Sequence, residues 1–235
     1  MRGPYQIVTA FLCVVACTPL AANAGKTAAD AGAAALATRV ATFSIHNATV
    51  FDGVAQLSSE RTELSFALED VLKTKFSDSA VPHSHFDLNL QNRTISEILD
   101  ALCSKDVTYT WTRDGLTVNV FPRSIVDDSS YLPNRQLGQS DLRGVTDTEQ
   151  AVFAIVARLP PPFEQIACAQ AGGDTSYAVP WDVTFRNLTI RQAFNLIARH
   201  LGSRGGWVLG GSREFRTIGF HKGTIHYNSG SERID

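Results

Sequence analysis

The sequence predicts an α+β fold in two parts, built from repeated strand–helix–strand units whose small sheets pack on helices. Three observations carry that expectation. A gapless pattern occurs three times, as Phe43-Ser-Ile-His-Asn47-Ala-Thr49-Val50, Leu88-Asn-Leu-Gln-Asn92-Arg-Thr94-Ile95 and Val183-Thr-Phe-Arg-Asn187-Leu-Thr189-Ile190. Each copy opens with the apolar–polar alternation of a half-buried strand and, after Asn-x-Thr, changes to helical spacing. Returning apolar segments then follow each helix, which gives the unit its sheet.

The first 24 residues read as an export signal. Arg2 is a short positive start, Ile7 to Ala16 is apolar, and Ala22-Asn23-Ala24 fits a small-residue cleavage site. The apolar stretch is shorter than the ~20 residues that span a bilayer. Val14-Val15-Ala16-Cys17 is a rival signal, similar to a lipoprotein lipobox, which would make Cys17 a lipidation site. No later run reaches spanning length, so the mature chain is expected to carry no transmembrane span. Residues 25–41, rich in Ala, Gly and Thr, read as a flexible leader.

Ordered pattern begins at Thr42. In the first unit Val50, Val54 and Leu57 share a helical face; in the second Ile95, Ile98, Leu99 and Leu102 do so; in the third Ile190, Ala193, Phe194 and Ile197. Thr49, Thr94 and Thr189 are the expected helix caps, each hydroxyl accepting an otherwise unpaired first-turn amide. Glu97 and Gln192 complete capping boxes, and Asp52 holds the same place after Thr49. Asn before each cap suits the unusual backbone angles of a tight corner. Read instead as glycosylation sequons, the three triplets leave the periodicity unexplained.

Leu64 to Leu68, Thr108 to Thr112 and Trp207 to Leu209 read as returning strands. Asp114-Gly115 turns the second into Leu116 to Phe121, and Gly210-Gly211-Ser212 turns the third into Phe215 to Phe220. Residues 123–145 read as a mobile linker. A further helix is expected after Thr146-Asp-Thr-Glu149, stopped by Pro160-Pro161-Pro162. The second part therefore spans 146–222, and a polar tail fills 223–235. Of four cysteines, Cys103 and Cys168 lie beyond the signal; an oxidising compartment would permit them to pair, and two buried thiols are the alternative.

Residues 43–122 resemble the secretin and TonB N-terminus short domain. The likeness is sharpest over Phe86 to Leu102 followed by Tyr109 to Val120, and about 181–220 looks like a diverged second half-unit. The resemblance implies a periplasmic docking module. Such domains contact an anti-sigma regulator in transducing receptors, or inner-membrane components in secretins. Nothing after residue 222 is expected to supply a barrel or secretin ring, so the module stands without its usual membrane part.

Composition excludes some classes. The 235 residues are 44% hydrophobic and 19% charged with a formal net charge of −2, which argues against disorder and against a nucleic-acid surface. Phosphate-loop, dinucleotide and nucleophile-elbow patterns are absent from the sequence. His83-Ser-His85-Phe-Asp87 is the one run with metal-ligand character, similar to that of zinc hydrolases of the metallo-β-lactamase type, yet Leu88 stands where that run continues with His. The remaining histidines, His46, His200, His221 and His226, suit surface or capping roles. Trp111, Trp181 and Trp207 are expected to cover the helices, with Trp111 or Trp181 as an alternative interface anchor. The expectation is a non-enzymatic envelope protein without cofactor, contacting an unidentified protein partner. A zinc hydrolase using His83, His85 and Asp87, or a cell-wall or small-ligand binder, is the alternative.

Overall fold

The structure, a computed structural model, describes residues 30–59, 63–75, 78–79, 81–159, 165–169, 176–202, 204–213 and 215–223. The signal segment, Cys17 and His226 lie outside them. The fold is α+β, with helices packed on small sheets. A helix α1, described over 30–36, precedes β1 (Arg39–Ala48), α2 (Val50–Ser59) and β2 (Ser65–Glu69). Then come β3 (Phe86–Thr94), α3 (Ile95–Lys105) and the hairpin β4 (Tyr109–Asp114) and β5 (Thr117–Pro122).

The same order then repeats. β6 (Gln136–Leu137) and β7 (Ser140–Asp147) together replay β1; α4 (Thr148–Val156) and β8 (Gln165–Ala169) follow. β9 (Ser176–Phe185) with β10 (Leu188–Thr189) replays β3, and α5 (Ile190–Leu201), β11 (Gly206–Gly211) and β12 (Phe215–His221) complete the second unit. Strand register makes the correspondence residue by residue. Phe43 faces Leu90 across β1·β3, and Ser140 faces Phe185 across β7·β9. The amide of Ile95 donates to Thr38 O and that of Ile190 to Arg135 O, 3.1 and 3.0 Å. The large residue has changed sides while the position is kept.

Both units also share a corner. Asn47, Asn92 and Asn187 have φ of +46°, +50° and +53°, and Gly144 has +59°. Asn tolerates this left-handed region because its short side chain bonds locally, and Gly because it has no Cβ. Thr94 and Thr189 cap α3 and α5 in full capping boxes with Glu97 and Gln192. Thr49 receives the Asp52 amide at 3.2 Å and donates to its carboxylate. The three expected corners are therefore where the sequence puts them.

One six-stranded sheet joins the units, in the order β4-β5-β2-β11-β12-β8. Within each set of three, a hairpin is extended by a parallel strand: β2 on β5, and β8 on β12. The sets meet through parallel β2·β11, with Trp207, Val208 and Leu209 beside Ala67, Leu68 and Glu69. Neighbours in parallel register point to one face. Trp207 and Ala67 belong to the core under α4 and α5, while Val208 and Leu68 pack into the core under α2 and α3. The two helix pairs thus cover opposite faces of the shared sheet.

Several expectations need correction. Residues 25–41 are not simply a leader, because 30–36 are helical and β1 begins at Arg39; Leu36 is buried in the first core. The linker 123–145 is shorter than expected: the second unit already starts at 135–140, and Tyr131 and Leu132 are buried. The short β6 pairing and the Gly144 bulge break the alternation that would have revealed it. The second half-unit is a complete unit, and it shares a sheet with the first rather than hanging from a mobile linker. The helix after β7 is capped by Asp147, whose carboxylate accepts the Gln150 amide at 2.8 Å, one residue later than Thr146. Cys103 and Cys168 are both free and lie in separate cores on opposite sheet faces. Burial pushes both thiols up to about 12. No helix among the described residues is long and apolar enough to cross a membrane.

Candidate functional site

The His83–His85–Asp87 run does not converge. His83 turns inward, where its ring is 13% exposed; Tyr109 Oη lies 3.3 Å from Nδ1 and Asp70 3.5 Å from Nε2. The Tyr109 hydroxyl donates to Asp70 at 2.9 Å, and Phe51 packs edge-on to both rings. The hydrogen bond to Asp70 raises the His83 pKa above 6.5, against the lowering effect of burial. His85 instead lies with Nδ1 3.0 Å from Asn47 O. Asp87 accepts the Asn47 amide at 2.7 Å and faces His46 Nδ1 at 2.6 Å.

Asp87 has a structural role that the second unit repeats. Asp182 accepts the Gly144 amide at 2.7 Å and pairs with Arg143, at the same bulge of the β7·β9 ribbon. A carboxylate that latches the left-handed residue of a corner is accounted for without a metal. Among the described residues, no cluster of three or more His, Cys, Asp or Glu side chains could hold a metal ion.

The contact between units is a polar clamp set in apolar surroundings. Arg191, at the start of α5, pairs bidentately with Glu69 at the end of β2, which is fully buried. The same guanidinium donates to Asn134 Oδ1 at 2.5 Å and stacks 4.5 Å over the Phe121 ring. Asn195, one turn on, donates to Asp114 Oδ2 at 3.0 Å and accepts the Trp207 indole N–H at 2.8 Å. The β4–β5 tip also meets Arg199, since a Cβ on Gly115 would come within 2.8 Å of its guanidinium. Beside this clamp is a cleft of about 210 Å³ lined by Asp70, Asp128, Ser130, Tyr131, Arg213 and Arg216. That is below the roughly 300–1,000 Å³ of common ligand pockets, and its two carboxylates balance its two guanidinia.

A larger hollow lies at the outer edge of the sheet. β4 has a single strand neighbour among the described residues. Beside it, Asp100, Cys103 and Ser104 of α3, Val107, Thr110 and Trp111 line a shallow groove of about 480 Å³, flanked by Arg123. Val107 is 71% exposed, and Trp111 is held in place by its indole N–H on Asp100 Oδ1 at 2.9 Å. An aromatic fixed at the rim, an exposed valine and a strand with one strand neighbour among the described residues suit contact with another polypeptide. Trp111 and Trp181, the two tryptophans the sequence left as alternatives, are both half-buried, and of the two Trp111 lines this groove. Trp207 is buried, and Trp181 stacks 4.2 Å from His200. Sequence reasoning missed the groove, because Val107 and the α3 residues belong to it only through the edge position of β4. Compared with known proteins, the chain matches no family model, no curated protein and no solved structure at a significant level.

Proposed function

We propose that this chain is an exported envelope protein that acts by protein–protein contact, as a tandem of two docking modules similar to the secretin and TonB N-terminus short domain. One observation carries the reading: the order strand–helix–strand, strand–helix–strand–strand occurs twice, complete, with counterpart residues at matching registers. The β4 edge and its groove are the contact surface. Catalysis finds less support, because the buried charges form ion pairs and hydrogen bonds that hold the units together, and the histidine run is dispersed.

The test begins with location. The exported chain should start at Gly25 in the periplasmic fraction or, under the rival signal, start at a lipidated Cys17 anchored in the outer membrane; an unprocessed cytoplasmic chain overturns the envelope assignment. Site-specific photo-crosslinkers at Val107 and Thr110 should then trap polypeptide in cells, whereas one at Asp127, outside the groove, should not. Stoichiometric zinc in the purified protein, lost in His85→Ala, would overturn the non-enzymatic reading.

A further inference from the structure

Among the described residues, the shared sheet ends in two strands that are counterparts of the pair at its centre. By position within each set of three, β8 corresponds to β2 and β4 corresponds to β11, and β2·β11 is the parallel junction between units. We propose that the chain associates head to tail with further copies of itself, β8 of one copy pairing in parallel with β4 of the next. The proposal rests on the β4 edge being a docking surface, and names its occupant as a second copy. Transferring the register of the internal junction places Tyr109 beside Ala167, Thr110 beside Cys168 and Trp111 beside Ala169 of the neighbouring copy.

The groove fits this occupant. Asp100, Cys103, Ser104, Thr110 and Trp111 are the counterparts of Asn195, Ala198, Arg199, Val208 and Leu209. In the second unit that surface is the one occupied by the first unit, with Asp114 on Asn195 and the β4–β5 tip on Arg199. In the first unit it is the open groove. The matching tip of the second unit is Ser212-Arg213, and Arg213 is exposed. Carried across the same operation, Ser212 meets Asp100 and Arg213 meets Ser104. The guanidinium thus arrives one helical turn from the exposed carboxylate of Asp100, within reach of an arginine side chain, and the two ends are complementary in charge.

Size is complementary too. The clamp residues Arg191, Glu69 and Phe121 have Ser96, Ala169 and Gly219 as counterparts, so small, uncharged residues stand at the counterpart positions of the clamp. Without a bidentate ion pair the contact is weaker than the internal junction, and reversible. Because two different ends meet, it does not close on two copies, and growth leads to open chains or rings.

Backbone direction supplies the blocking variants. The Asp70 amide donates to Leu209 O at 2.8 Å across the junction, so alternate residues of β2 face β11. Their counterparts place the Cys168 amide outward on β8 and the Trp111 amide outward on β4. Proline at either position removes an outward donor from an edge strand, where it is tolerated, and leaves the internal ladder intact. In sedimentation velocity, the wild-type chain should exceed the mass of two copies as concentration rises. Trp111→Pro and Cys168→Pro should each sediment as monomers, and their equimolar mixture should stop at the mass of two. Folding loss in either variant cannot give that mixture.

A second pair of variants avoids the strands. Asp100→Arg and Arg213→Asp should each weaken association about tenfold or more, and mixing them should restore it, because each mixed interface pairs opposite charges. A wild-type chain that stays monomeric, or an association blocked by Trp111→Pro and untouched by Cys168→Pro, overturns the proposal. In cells, a photo-crosslinker at Thr110 should yield a band at twice the chain mass. A band containing a different protein overturns self-association and leaves the docking role standing, while no band removes both.

Discussion

In the first unit, β1 reaches its helix through Asn47 at φ +46°, a Thr49 cap and Asp52. In the second, β7 reaches its helix through Gly144 at φ +59°, an Asp147 cap and Gln150. The residue types differ at every step and the cap has slipped by one, yet the corner is the same, down to the carboxylate of Asp87 or Asp182 on the left-handed amide. What is repeated is a set of backbone requirements: a residue that accepts positive φ, an acceptor for first-turn amides, and an anchor for the bulge. Several side chains meet each requirement, so geometry persists where identity does not.

The units also differ in how they are tied down, and that difference is open to experiment. The largest effect is expected at the clamp, where the first unit lends Glu69 and the second Arg191. Glu69→Gln or Arg191→Met should lower stability by about 3–5 kcal/mol in denaturant unfolding, because the remaining charge stays buried and unpaired. The double change Glu69→Met with Arg191→Leu should recover most of it. Equal losses in single and double variants would show that the contact is packing alone.

Next comes the helix contact. Gly53 in α2 lies so close to α3 that a Cβ would stand 2.5 Å from Leu102, whereas the counterpart in α4 is Ala151. Gly53→Ala should destabilise by about 1–3 kcal/mol through overpacking, despite its better helix propensity. A stabilised variant would mean that the two helix pairs are equally spaced.

The caps give smaller effects. Thr94→Ala and Asp147→Ala should each cost about 1 kcal/mol, while Thr146→Ala should stay within about 0.5 kcal/mol. Reversal of the last two would return the α4 cap to Thr146.

The smallest effect is a pH dependence confined to the first unit. Because Asp70 raises the His83 pKa in the fold above 6.5, protonation favours the folded state. The contribution is fully present below the unfolded value and fades as pH rises through the folded one. The stability gap between wild type and His83→Gln should therefore be wide in mild acid and narrow above neutrality. A gap that widens with pH would contradict the His83–Asp70 pairing.

Local patterns were legible because they depend on near neighbours in the chain. Asn-x-Thr marked three corners, alternation marked β1, β3 and β9, and helical spacing gave the buried faces of α2, α3 and α5. The fourth corner was hidden by its Gly and its displaced cap. The free thiols were equally hidden, since Cys103 and Cys168 are kept apart by the sheet between their cores. The groove at β4 shows no motif, because its walls come from a helix, a loop and an edge strand.

By itself the sequence determined the α+β class, the repeating unit and the places where strand becomes helix, since these follow from side-chain period and from the few residues that accept a left-handed turn. Only the tertiary structure decided that the units share one sheet, that their helices cover opposite faces, and which two strands stand at its ends among the described residues. Such pairings depend on hydrogen bonds between segments more than a hundred residues apart, as with Leu68 and Val208. Backbone amides carry no residue identity, so the sequence holds no mark of which strand will lie beside which.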